Sequence, residues 1–309
     1  QYKVYGGGIK IVGYHNEFNR EGNEVIVCGT GSCGLVSICR EKYWASQCFT
    51  IKSINESLNQ LYLYYFSKFI LEDKFKSSSK GGSQPFIRGI DFIDLSLPTL
   101  PIETQNQVVQ ILDDLAEQKQ LLSDRKSGIE RQMKYYFETQ IKMCDVEIKE
   151  LQEIINIKTG KYITKDIKIS GEYPVYGGGN PSFFINDYNY ENEIIIAKDG
   201  VSENCVRYEM NKFFLNHHGW VIHTSLSKKY LYYSLVFNEN RIYKLANGGA
   251  QKGINQENFK KLKIQIHTNE KQIEIVQYLD NLETKKNSII NEINDIDTLM
   301  KDVLEQSYN

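Results

Sequence analysis

Tyr173-Pro-Val-Tyr-Gly-Gly-Gly179 repeats, 171 residues later, the opening run Tyr2-Lys-Val-Tyr-Gly-Gly-Gly8. Four more blocks recur in the same order. Asn23-Glu-Val-Ile-Val27 returns as Asn192-Glu-Ile-Ile-Ile196, and Tyr62-Leu-Tyr-Tyr65 as Tyr230-Leu-Tyr-Tyr233. Gly81-Gly-Ser-Gln84 returns as Gly248-Gly-Ala-Gln251. Gln105, Val109, Gln110, Leu112, Asp113 and Leu115 return as Gln272, Val276, Gln277, Leu279, Asp280 and Leu282. The offset drifts only from 171 to 167, so one unit of about 165 residues is used twice.

Each unit divides in two. Its first part is a series of short β runs broken by Gly, Asn and Asp clusters, followed by a short helix near Tyr62 or Tyr230. Its second part carries apolar or aromatic residues every seven positions: Val108, Leu115, Leu122, Ile129 and Tyr136, then Ile275, Leu282, Ile289, Ile296 and Val303. Sustained heptads predict long helices that pack as a supercoiled pair. About 38 residues at about 1.5 Å each gives a rod of about 57 Å. Lys119 and Lys286 interrupt the stripe at equivalent places, where a long side chain can carry its charge out to water.

With 309 residues the chain has room for two or three domains. Apolar residues at 41% and charged residues at 25% are ordinary for a globular chain. No apolar run reaches 18 residues and no signal peptide is evident, so the expected location is cytoplasmic with no membrane contact. Six cysteines occur with no C-x-x-C pair, which predicts reduced thiols and no metal site. The net charge of −2 is unevenly spread. Residues 1–100 and 146–265 carry +2 and +3, whereas 101–145 and 266–309 carry −2 and −5. Phosphate repulsion disfavours DNA on the acidic helices and leaves them for protein contacts. A lead-in of about 25 residues stands before Tyr173, but only Gln1 stands before Tyr2, so the first copy is expected to be incomplete at its start.

Taken together, these blocks resemble the two halves of a type I restriction–modification specificity subunit. The Tyr-Pro-Val-Tyr-Gly-Gly-Gly turn, the segment Gly248-Gly-Ala-Gln-Lys-Gly-Ile254 and the link Leu95-Ser-Leu-Pro-Thr-Leu-Pro-Ile-Glu-Thr-Gln105 carry the resemblance. Leu262-Lys-Ile-Gln-Ile-His-Thr-Asn-Glu-Lys-Gln272 fits without the prolines, and Gln84-Pro85-Phe86 departs from the pattern. The resemblance implies an α+β chain of two repeated α/β target recognition domains plus two long antiparallel coiled-coil helices. Its divisions are 1–100, 101–145, 146–265 and 266–309. It further implies a bipartite double-stranded DNA target, with the helices holding the two readers at a fixed separation. DNA adenine methyltransferase subunits would dock on the helices, and ATP-dependent restriction subunits could join them. The chain itself would be non-catalytic and without a cofactor; S-adenosylmethionine, ATP and Mg belong to the partner subunits. Val108, Leu115, Leu122, Ile129, Ile275, Leu282, Ile289 and Ile296 are the expected helix-packing positions.

Several motifs mimic other chemistry. Gly29-Thr-Gly-Ser-Cys-Gly34 spells a dinucleotide fingerprint, but a β run follows it where a helix is needed, which predicts a hairpin turn. Asn180-Pro-Ser-Phe183 is similar to an amino-methyltransferase motif without a nucleotide site to serve. Glu147-Ile-Lys149 lacks the upstream acid of a nuclease centre. His217-His218 has no evident co-ligands, and no Ser–His–Asp arrangement stands out. Base and phosphate contacts need exposed donors, acceptors and cations. In the first copy Lys10, His15, Arg20, Arg40, Gln84 and Arg88 are the candidates; in the second, Lys161, Lys198, Arg207, His217, His218, Gln251 and Lys252. Two other readings fit the pattern: the specificity region of a fused type II restriction–methylation enzyme, and a protein-interaction scaffold joined by a coiled coil.

Overall fold

The computed structural model describes the chain except residues 82–84, 99, 144, 164–170, 179, 182, 201–203, 249–251 and 309. The chain forms two compact units: Gln1–Lys126 with Ser288–Asn309, and Ser127–Asn287.

In the first unit the apolar run Glu24–Cys28 is buried along its whole length. It forms the middle strand of an antiparallel sheet between Val36–Cys39 and Cys48–Ile51. Its pleat sends Val25 and Val27 toward Leu63 and Phe75, and Ile26 toward Tyr5 and Tyr43 on the other face. A second sheet places Tyr2–Tyr5 between Ile11–His15, antiparallel, and Tyr43–Ala45, parallel. The Gly29–Gly34 stretch joins Glu24–Cys28 to Val36–Cys39 as a hairpin, with a positive φ at Gly31 and Gly34.

The second unit repeats this plan in a larger sheet of six strands. Their order is Phe184–Ile185, Tyr173–Tyr176, Val206–Leu215, Tyr190–Ala197, Gly219–Thr224 and Ile155–Thr159. Ile194 and Ile196 face a core with Leu231, Leu235 and Phe259, while Ile195 faces Phe213 and Val221. Asn23 and Asn192, at matched positions before the central strands, both hold a left-handed backbone, with φ 52° and 55°.

The short helix Gln60–Phe66 is started by Asn59, whose side chain accepts from the amides of Leu61 and Tyr62. Ser227 caps its counterpart, Lys228–Phe237. The long helices run Ile102–Met143 and Asn269–Tyr308. Within the first unit Tyr62, Tyr65 and Phe66 pack with Val108, Leu112, Leu115, Met300 and Leu304. Lys119 bonds to Asp297 nearby, so the two helical stretches run in opposite directions there. Within the second unit Tyr230 and Tyr233 pack with Met133, Phe137, Ile275, Leu279 and Leu282.

Of the heptad residues, Val108, Leu115, Ile275, Leu282 and Ile289 are buried, and Leu122, Ile129 and Ile296 are half-buried. Lys119 does more than carry its charge out to water: its Nζ meets Asp297 Oδ1 at 2.5 Å. Lys286 instead pairs with Glu283 on its own helix at 2.8 Å. No helix among the described residues is long and apolar enough to cross a membrane.

Candidate nucleic-acid interface

In the second unit several loops converge at one end of the sheet, and backbone bonds place them. Lys161 N donates to Leu215 O, and Asn216 N donates to Tyr176 O. Lys198 N donates to His218 O, and Ile254 N donates to Lys198 O. Residues near 161, 177, 199, 217 and 253 are thereby held as one cluster. The glycine run is what permits the approach: a Cβ on Gly177 would stand 2.6 Å from the Asn216 side chain, and one on Gly178 would stand 2.2 Å from Asp199 O. These glycines bring facing loops together.

The cluster carries polar and cationic groups around a stack of rings. Tyr162 lies 4.9 Å from His217, and His217 lies 3.9 Å from His218, between ring centroids. His218 Nδ1 lies 3.2 Å from Asp199 Oδ2, and Lys198 Nζ lies 3.4 Å from the same oxygen. Burial, with His218 and Lys198 nearby, lowers the His217 imidazole below its ordinary range, so it is neutral near pH 7. The His217 Nδ1 is buried without a partner among the described residues, which leaves Nε2 as the ring nitrogen that can face a base edge. Lys161 is exposed beside Tyr162. Lys252 sits next to Gly253, which bridges to Asp199, but its Nζ turns to the Tyr243 hydroxyl at 3.1 Å. Arg207 stands on Val206–Leu215, in register with Ile195. Gln251 lies outside the described residues.

The first unit holds the matching loops in the same way. Ser32 N donates to Gly7 O, Gly29 N to Gln47 O, and Ile87 N to Gly29 O. A Cβ on Gly7 would meet Thr30 O at 2.9 Å. Here the groups are hydroxyls and amides in place of the histidine pair. Thr30 Oγ1 lies 3.5 Å from Gln47 Oε1, and Cys33 Sγ lies 2.8 Å from Pro85 O. Arg88 and Lys80 both bond to Asp91, at 3.1 and 3.3 Å. The remaining candidates are spread elsewhere. Lys10 is exposed at the turn into Ile11–His15, and the His15 ring packs 4.4 Å from Trp44. Arg20 Nε stands 3.6 Å from Glu24, and Arg40 Nη2 stands 3.5 Å from Asp113 on the long helix. Gln84 lies outside the described residues.

Sequence reasoning passed over Tyr162, Asp199 and Asn216 in one copy and Thr30, Gln47 and Lys80 in the other. One available signal was the glycine run itself, because what it faces must come close. The five described cysteines are free, and no group of three or more metal-binding side chains occurs among the described residues.

The model of the type I restriction modification DNA specificity domain matches residues 1–131 and 143–296. A Mycoplasma pneumoniae protein described as a type I specificity subunit is 26% identical over 233 residues, 69% of this chain and 62% of the relative. This chain thus spans under two thirds of that relative's length. A Haemophilus influenzae protein described as a type I restriction enzyme specificity subunit is 26% identical over 321 residues, 92% of this chain and 81% of the relative. The crystal structure of a type I restriction–modification S subunit from M. genitalium matches in fold, with a TM-score of 0.56 and 18% identity, over 100% of this chain and 89% of that one. The duplicated unit, the duplicated loop cluster and the family match over both copies agree: the chain belongs to the type I restriction modification DNA specificity domain family.

Proposed function

We propose that the chain is the DNA-reading component of a type I restriction–modification system, each unit reading one half of a bipartite duplex target. The observation that carries this reading is the loop cluster built twice on the same scaffold, with different side chains in each copy. One scaffold with two sets of polar groups suits two different short sequences. In the second unit Lys161 and Lys198 meet phosphates, while His217 and His218 meet base edges. In the first, Thr30, Gln47, Lys80 and Arg88 take those roles. The acidic helices, residues 101–145 and 266–309, bind adenine methyltransferase subunits, which carry S-adenosylmethionine; ATP and Mg belong to translocating restriction subunits. This chain binds and positions, and contributes no catalytic group.

The test is selection from a randomised duplex library, using the chain together with a methyltransferase subunit. Enrichment of a split motif with a fixed spacer is the expected outcome. Retained duplexes with no common sequence, released smoothly as salt rises, would overturn the reading.

A further inference from the structure

Glu72 and Glu239 occupy the same place in the two units, each accepting a bond from a strand amide, Val36 N at 3.0 Å and Val206 N at 2.7 Å. In the first unit two ammonium groups meet this carboxylate. Lys76 Nζ lies 2.6 Å from Glu72 Oε1, and Lys68 Nζ lies 2.5 Å from Oε2. Setting Tyr62-Leu-Tyr-Tyr65 against Tyr230-Leu-Tyr-Tyr233 places Lys68 against Val236 and Phe69 against Phe237. The first copy then has one residue more before its glutamate, taken up by a π-helical turn over Ser67–Leu71. Past the glutamates, Lys76 falls against Tyr243. Uncharged side chains thus stand in the second unit where the first has both its ammonium groups.

Beside Glu239 is a cavity of about 400 Å³, formed wholly within the second unit. Met133, Tyr232, Val236 and Phe237 give it apolar walls. Its charged lining is Glu130, Glu239 and Glu283 against Lys134 and Lys286, an excess of negative charge. Lys286 is held by Glu283 at 2.8 Å, and Lys134 stands 4.0 Å from Glu138; among the described residues neither pairs with Glu239. Arg207, one residue along the strand from Val206, attracts Glu239 through space, yet burial keeps its carboxyl above the usual range. A half-buried carboxylate short of a cation, beside aliphatic and aromatic walls, suits an ammonium group on a methylene chain.

We propose that this cavity binds a small aliphatic amine, its ammonium meeting Glu239 as Lys68 and Lys76 meet Glu72, and its methylene chain lying along Val236 and Phe237. Such a site stands whether or not the loops read DNA.

The test is calorimetric titration of 1,4-diaminobutane into the full chain, with 1,4-butanediol as the uncharged analogue. The amine should bind saturably, one per chain, and the diol should not bind. Amide hydrogen exchange at Val206 should slow at least tenfold, while that at Val36, whose glutamate already has its lysines, should not change. Glu239→Gln keeps an acceptor for Val206 N and should weaken binding at least tenfold. Val236→Lys supplies the ammonium of the first copy and should abolish binding while raising the Tm, a readout that also shows the variant folded. Failure to saturate at millimolar amine would overturn the proposal. Unchanged binding by both variants would do the same, because the amine would then be neutralising acidic surface at large. Equal slowing at Val36 and Val206 would also count against it, since only one of the two glutamates lacks its lysines.

Discussion

Asp113 and Asp280 show what a residue matched between the copies is for. Each accepts a hydrogen bond from the tyrosine on the short helix above it: Tyr65 at 2.6 Å and Tyr233 at 2.8 Å. Burial and the neighbouring carboxylate together push both phenols well above their ordinary range, so they remain protonated donors. Asp280 also meets Lys229 at 2.6 Å, whereas Asp113 meets Arg40 at 3.5 Å. Removing Tyr233's hydroxyl leaves Asp280 with its lysine; removing the carboxylate strands a buried phenol. Tyr233→Phe should therefore cost about 1 kcal/mol and Asp280→Ala about 2–3 kcal/mol in urea unfolding. Equal losses would contradict this account. The matched columns of the sequence exposed these residues but not their bonds. Glu72 and Glu239 were missed altogether. Each accepts from a strand amide, Val36 N at 3.0 Å and Val206 N at 2.7 Å. They differ in charge environment. Burial would raise both, but Lys68 and Lys76 hold Glu72 below the usual carboxylate range, whereas Glu239 stays above it.

Elements were legible to the extent that their signal is periodic. Seven-residue spacing depends only on where apolar side chains fall, so the helices Ile102–Met143 and Asn269–Tyr308 could be read directly. Val-Ile-Val and Ile-Ile-Ile marked the two central strands because a strand buried on both faces is apolar throughout. Which loops meet was not legible, because that depends on register and on the parallel pairing of Tyr173–Tyr176 with Val206–Leu215. Nor did the heptad pattern show that Lys119 has an acid across from it in the first unit. Both side chains of the Lys119–Asp297 pair are more than a third exposed, at 35% and 39%, so solvent weakens their attraction. A double-mutant cycle on Lys119→Ala and Asp297→Ala should give a coupling of about 0.5–1 kcal/mol that shrinks in 0.5 M salt. A coupling insensitive to salt would mean that the helices are joined there by packing alone.

At the scale of the whole chain, duplication makes function separable. If each unit reads one half-site, damage to one loop cluster should erase half of the specificity and leave the rest. His217→Ala with His218→Ala removes the ring pair without touching the sheet core. Neither residue belongs to the buried clusters around Ile195 or Val175. The enriched motif should then lose base preference on one side while keeping the other half and its spacing. Each lost base contact is worth about 1–3 kcal/mol of discrimination. Lys161→Gln with Lys198→Gln should act differently. Affinity should fall for all duplexes alike, and the slope of log K against log salt should flatten by about 0.9 for each phosphate contact removed. The two pairs of substitutions thus separate reading from holding within one unit. If the histidine pair weakened all sequences evenly, the rings would be holding the backbone. If it blurred both half-sites together, the two units would not read independently, and a single shared interface would have to replace the two-reader scheme.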